Sequence, residues 1–168
     1  GVKFEELLNH KISLHVEEGL ILPNLKMQGK EDGCAFLNEK GRCTIHAFRP
    51  GFCRLFPLGR IYEDGSFSYY LQSQECTKAN RTKVKVNKWL GIPDLKQYEN
   101  FVNEWHYFLK DTKALLLRLS DAQLNQELSM YLLNRFYTTA FDLESDFYKQ
   151  FDERMTQMKK LIYTLDRQ

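Results

Sequence analysis

The sequence predicts an α+β protein, mostly α, in which a small loop-rich cysteine module with a β-hairpin precedes a three-helix up-down bundle. Three observations predict it. All four cysteines, Cys34, Cys43, Cys53 and Cys76, fall within one quarter of the 168 residues. Glycine and proline punctuate that same stretch and are absent after Pro93. From Asp94 onward, apolar residues recur instead at the spacing of one helix face. The expected boundary therefore divides a cysteine module at 1–92 from a helical bundle at 93–168, packed on it.

Composition narrows the classes of function. Apolar residues make up 43% and aromatics 14% of the chain, enough to build a core and too much for a disordered segment. A formal net charge of +2 is too near neutral to imply a nucleic-acid partner or an anionic membrane surface. No apolar run approaches the roughly 18 residues that span a bilayer. Gly1–Leu8 reads G-V-K-F-E-E-L-L, with acids where a secretion signal would be apolar. The reducing cytoplasm is the expected compartment, and there clustered thiols serve as ligands more often than as disulfides.

Taken in order, residues 2–25 predict a helix followed by an apolar segment. Phe4, Leu7, Leu8 and Ile12 fall at helical spacing; Gly19 and Pro23 then break the pattern, and Leu20, Ile21, Leu22 and Leu25 are expected to pack under the cysteines. His10 and His15 are five apart, on different faces of a helix, unlike the pairs four apart that chelate zinc. Solvent-facing or hydrogen-bonded roles fit them better.

Gly29 to Gly59 predicts loops and tight turns. The stretch lacks the periodicity to form its own core, yet it carries Phe36, Leu37, Phe48, Phe52, Leu55 and Phe56. A metal-stapled module is a physically sensible way to hold such a segment. Asp64-Gly65, flanked by alternating aromatic arms, predicts a β-hairpin at about 59–71. Lys78, Arg81, Lys83, Lys85 and Lys88 follow with no acid between them. The K-V-K-V alternation predicts an extended edge with Val84 and Val86 turned inward, and no aromatics interleave as a single-strand binder would require.

The helical region predicts three amphipathic helices. The first starts near Asp94, with Tyr98, Phe101, Val102, Trp105, Phe108, Leu109, Leu115, Leu116 and Leu119 along one face. Ser120 to Gln123 has the spacing of a capping box and opens the second, striped by Leu124, Leu128, Tyr131, Leu132 and Phe136. The third spans about 143–165, with Phe147, Phe151, Met155, Met158 and Ile162 inward and Asp152, Glu153, Lys159 and Lys160 outward. Short connections suit an up-down arrangement, whose outer surface offers a place for a protein partner. His106, beside Trp105, reads as structural.

The cysteine spacings are C-x8-C, C-x9-C and C-x22-C, not the C-x2-C of zinc ribbons. Four thiolates nonetheless close a tetrahedral zinc site or hold an iron–sulfur cluster. Such a zinc site is doubly negative, so it needs cations or N–H donors facing the sulfurs. Arg42, Arg49 and Arg54 each lie within a few residues of a cysteine and are the candidates for that role. Free thiols beside surface arginines are the bland alternative, and two disulfides in a metal-free interaction module are another. His46 could replace a thiol, but a surface or hydrogen-bonding role is the better fit. Nothing marks one cysteine as a nucleophile with a base.

The segment C-A-F-L-N-E-K-G-R-C-T-I-H-A-F-R-P-G-F-C-R-L-F-P-L resembles the signature of the YkgJ-type cysteine-cluster proteins, described as zinc- or iron-chelating. The pattern is carried by Cys34, Phe36, Leu37, Gly41, Arg42, Cys43, Ile45, Arg49, Pro50, Cys53, Arg54, Phe56 and Pro57. Cys76 stands where that family has a further downstream cysteine. One departure is that the family opens with a C-x-x-C-x-x-C-C group upstream of this point, which the present sequence lacks. The resemblance implies a metal-binding protein with Cys34, Cys43, Cys53 and Cys76 as ligands to zinc or an iron–sulfur cluster. Related clusters occur in proteins that modify other proteins, such as flagellin lysine methylases. An iron-dependent enzyme, or enzyme subunit, acting on a protein or peptide is therefore the alternative. It would need an open coordination position and so ligands beyond these four thiols.

Overall fold

The computed structural model describes residues 2–29, 32–75 and 82–167. Along the chain these form α1 (Phe4–His10), a hairpin of β1 (Ile12–Glu17) and β2 (Leu20–Leu25), a short pair of β3 (Met27–Gln28) and β4 (Gly33–Cys34), and a 3-10 turn at His46–Phe48. Then come α2 (Gly51–Leu55), a second hairpin of β5 (Leu58–Glu63) and β6 (Ser66–Leu71), α3 (Val86–Leu90), α4 (Leu95–Leu119), α5 (Ala122–Leu133), a π turn at Asn134–Thr138 and α6 (Phe147–Asp166). The protein is α+β and mostly α, with its strands confined to small antiparallel pairs.

Two compact units make up the chain, one of Gly1–Cys43 with Leu109–Gln168 and the other of Thr44–Phe108. In the first unit, α1 is only seven residues and the chain then turns to strand, where one helix reaching Ile12 was expected. Ile12-Ser13-Leu14-His15-Val16-Glu17 alternates, and Glu18-Gly19, both at positive φ (51° and 90°), make the tight turn that returns it. Pro23 does not break β2, because a two-stranded ribbon has outward-facing positions that need no N–H. His15 sits on this strand opposite Leu22, and its Nε2 lies 2.8 Å from Ser13 Oγ, a hydrogen-bonded role.

The hairpin packs on α5: Leu20 is fully buried, and the Ile21 N–H donates to Ser129 Oγ at 2.6 Å. Leu115, Leu116, Leu128, Leu132, Met155 and Met158 complete this core. The cap of α5 is Asp121, whose carboxylate accepts from Leu124 N at 3.0 Å, rather than Ser120. Ser120 takes a left-handed conformation (φ 52°) and turns its hydroxyl back to Leu117 O. Tyr131, expected inward, is exposed. Asp146 caps α6, accepting from Lys149 N, so the helix begins at Phe147 rather than near the expected 143. Buried Arg154 donates to the carbonyls of Arg135, Thr139 and Ala140 at 2.7–2.8 Å and lies over the Phe141 ring, closing the carbonyls left open after the π turn.

In the second unit the Asp64-Gly65 turn (φ 50° and 76°) forms as its sequence predicts, joining strands at 58–63 and 66–71. This hairpin is pinned to the first half of α4. Tyr107 Oη accepts from Gly65 N at 3.0 Å, Asn103 Nδ2 donates to Gly65 O at 2.7 Å, and His106 stacks on Tyr62 with centroids 3.6 Å apart. That contact gives His106 the structural role expected of it. Arg60 lies among Phe67, Tyr69 and Tyr98 and donates to Tyr98 Oη at 2.9 Å. Burial, and then the neighbouring Glu99 carboxylate, push the Tyr69 phenol up to about 12, against the opposing pull of Arg60. Asp94 starts α4 as expected, accepting from Gln97 N at 2.9 Å. The expected lysine-edged strand is absent: residues 82–85 take no regular structure, Val84 is exposed, and Val86 instead begins α3. Lys78 and Arg81 of that run lie outside the described residues.

Candidate metal centre

Cys34 is the last residue of β4 and pairs with Met27. Its neighbour Ala35 is buried, its N–H donating to Lys26 O at 2.9 Å and its carbonyl accepting from Lys11 Nζ at 2.6 Å. The backbone on the C-terminal side of Cys34 is thereby fixed. Leu37 links the next cysteine: its N–H donates to Cys34 O at 2.9 Å, and it pairs across with Cys43. Between them Asn38 organises the turn, its Oδ1 accepting from Lys40 N and Arg42 N at 3.0 Å each, while Gly41 adopts a left-handed φ of 68°. Sequence G-R-C therefore encodes a tight reversal that holds Cys43 in register opposite Leu37.

Cys53 lies in the second unit, at the centre of the five-residue α2, with its N–H donating to Pro50 O at 3.0 Å. Arg54 braces this turn, donating from Nε to Arg49 O and from Nη2 to Ala47 O, both at 3.1 Å. Gly51 is demanded by Tyr98, whose hydroxyl occupies the space a Cβ would need. Trp89 of α3 donates to Phe56 O at 3.1 Å. Of the arginines proposed to face the sulfurs, Arg42 is exposed, Arg54 is engaged on backbone carbonyls, and Arg49 is half-buried with an Nε that is buried and has no hydrogen-bond partner.

Cys34, Cys43 and Cys53 are each half-buried, and none takes part in a disulfide. Cys76, the fourth expected ligand, lies outside the described residues. Among the described residues, no three His, Cys, Asp or Glu side chains come together closely enough to hold a metal ion. The donor type still suits zinc or iron, since Cys34, Cys43 and Cys53 are thiols outside any disulfide. Sequence reasoning did not single out Arg49 from its neighbours. Its distinction lies in which N–H groups the fold leaves over, and no spacing rule reports that. No described helix is long and apolar enough to cross a membrane.

No curated protein and no solved structure matches the chain. A family model does, over a little under half of it. Residues 3–82 match CxxCxxCC, a putative zinc- or iron-chelating domain, which is the cysteine-cluster family that the Cys34–Pro57 signature resembles.

Proposed function

We propose that this protein binds zinc or iron through the thiolates of Cys34, Cys43, Cys53 and Cys76. The family match over residues 3–82 carries this reading. Three half-buried thiols outside any disulfide support it, as does a segment too irregular to bury its own aromatics. A bound ion would supply a cross-link between positions far apart in the sequence. Arg42, Arg49 and Arg54 would offset the charge of the sulfurs. The reading calls for a reducing compartment such as the cytoplasm, and it leaves the helical surface to a protein partner.

The test is metal and sulfide analysis of protein purified without oxygen. Colourless protein with stoichiometric zinc, or brown protein with iron and acid-labile sulfide, is the expected result and also identifies the ion. Cys53→Ser should abolish stoichiometric loading. Wild-type protein that carries neither metal, or whose intact mass shows paired cysteines, defeats the proposal.

A further inference from the structure

We infer that the face of the second unit built by α2, α3 and the open end of the β5–β6 hairpin docks an acidic peptide segment that carries bulky apolar side chains. The inference concerns partner binding and does not depend on a bound ion.

The face follows from local geometry. Trp89 of α3 donates from its indole Nε1 to Phe56 O at 3.1 Å, which sets the end of α2 against α3. On the chain beyond Phe56, Pro57 O accepts from Gln72 N at 2.9 Å and closes the hairpin end where Leu58 pairs with Leu71. Tyr70 lies across Gly59, in the space a Cβ there would need. Phe56, Tyr70, Leu71 and Trp89 are thereby brought to one part of the unit, yet each keeps 42–52% of its surface exposed. Phe56, Tyr70 and Leu71, with the polar run 72–75, line an open groove of about 610 Å³. That volume falls within the range of ligand-sized clefts.

Charge points to the occupant. Lys83, Lys85 and Lys88 are exposed on or beside α3, and none makes an ion pair with a described residue. Lys88 adjoins Trp89, and Lys85 stands four positions before it, the spacing of neighbours on one helix face. No Asp or Glu occurs from Lys40 to Tyr62 or from Cys76 to Pro93, so the segments that build α2 and α3 hold cations and no carboxylate. Apolar rings edged by unpaired cations complement an apolar segment edged by acids. Glu75 weighs against a polyanion: it sits in the groove lining, where a phosphate backbone or an anionic lipid surface would meet its carboxylate. A peptide can instead set its acids at the lysines and its apolar side chains in the groove. The Gln72 and Gln74 amides can then donate to and accept from its backbone.

The experiment selects from a display library of random dodecapeptides on the full chain, then measures the enriched peptides by fluorescence anisotropy. Enrichment in sequences that mix Asp or Glu with Leu, Phe or Trp is expected, with affinity falling as salt rises. Lys85→Glu combined with Lys88→Glu should weaken those peptides about tenfold or more, and Trp89→Ala should do the same. Circular dichroism shows whether Trp89→Ala stays folded; where it does not, the double lysine variant, altered only at exposed side chains, decides. A selection without acidic, apolar enrichment overturns the inference. So do enriched peptides that bind the double lysine variant as tightly as the wild type. An oligo-dT strand or phosphatidylserine vesicles bound more tightly than the peptides, or a dimer in sedimentation that Trp89→Ala dissolves, gives the face to another occupant and overturns it too.

Discussion

Leu132 and Met158 on the C-terminal helices are completely buried, whereas Phe48, Phe52 and Phe56, around Cys53, are 85%, 58% and 52% exposed. Both regions are rich in large apolar residues, so composition does not separate them. Periodicity does. Residues repeating every three or four positions can be gathered on one side of a helix and covered together. Residues strung between glycines and prolines point in several directions, and no single neighbouring surface covers them all. The helical region is therefore held by its core, while the cysteine segment is held by backbone reversals, by Arg54 on its carbonyls and, in our proposal, by an ion.

The most severe way to break this contrast is to open the helical core. Leu132→Ala should cost about 2–5 kcal/mol in urea unfolding, because a fully buried leucine leaves a cavity behind. A cost below about 1 kcal/mol would mean that the helices are not where the first unit's stability resides. Gly51→Ala probes the other region. Its new methyl would collide with the Tyr98 hydroxyl, and the expected loss is about 1–3 kcal/mol. Adding Tyr98→Phe removes the colliding oxygen and should recover part of that loss; failure to recover any would show that the constraint at α2 is not this contact.

The smallest effect is in pH. Tyr69 has its folded pKa raised from 10.0 to about 12 by burial and Glu99. The folded state thus holds this proton more tightly than the unfolded chain does. Its contribution to stability is complete below pH 10 and is lost as pH climbs through about 12. Tyr69→Phe should flatten that alkaline decline in stability and remove a late-titrating phenol from the wild-type tyrosinate absorbance.

Much of the helical region could be read directly. The stripe from Phe151 through Met158, the start of α4 at Asp94 and the Asp64-Gly65 hairpin each follow from a local rule that nothing elsewhere in the fold overrides. The first hairpin was hidden by competition between rules. Leu20-Ile21-Leu22 is an unbroken apolar run, Pro23 resembles a breaker, and the alternation from Ile12 to Glu17 is short and easily taken as the end of the preceding helix. The cap of α5 was misplaced by one residue because Ser120 and Asp121 are both good capping types, and only the left-handed backbone at Ser120 decides between them. At the cysteines, the local turns at Asn38–Arg42 and Pro50–Cys53 follow from their glycines and proline. Which side chains meet is a matter of tertiary distance, which residue spacing does not encode. The unmet N–H of Arg49 has the same character, since it is defined by the absence of a neighbour.

The hydrogen bond from the Ile21 amide to the Ser129 hydroxyl has a bearing on biosynthesis. A ribosome releases the N-terminal ribbon long before the serine that completes it, with an entire second unit made in between. Until that serine emerges, Leu20 lacks its cover and the nascent chain carries an oily ribbon with nothing to lie on. Helices made later are thus the ones that cover a ribbon made much earlier.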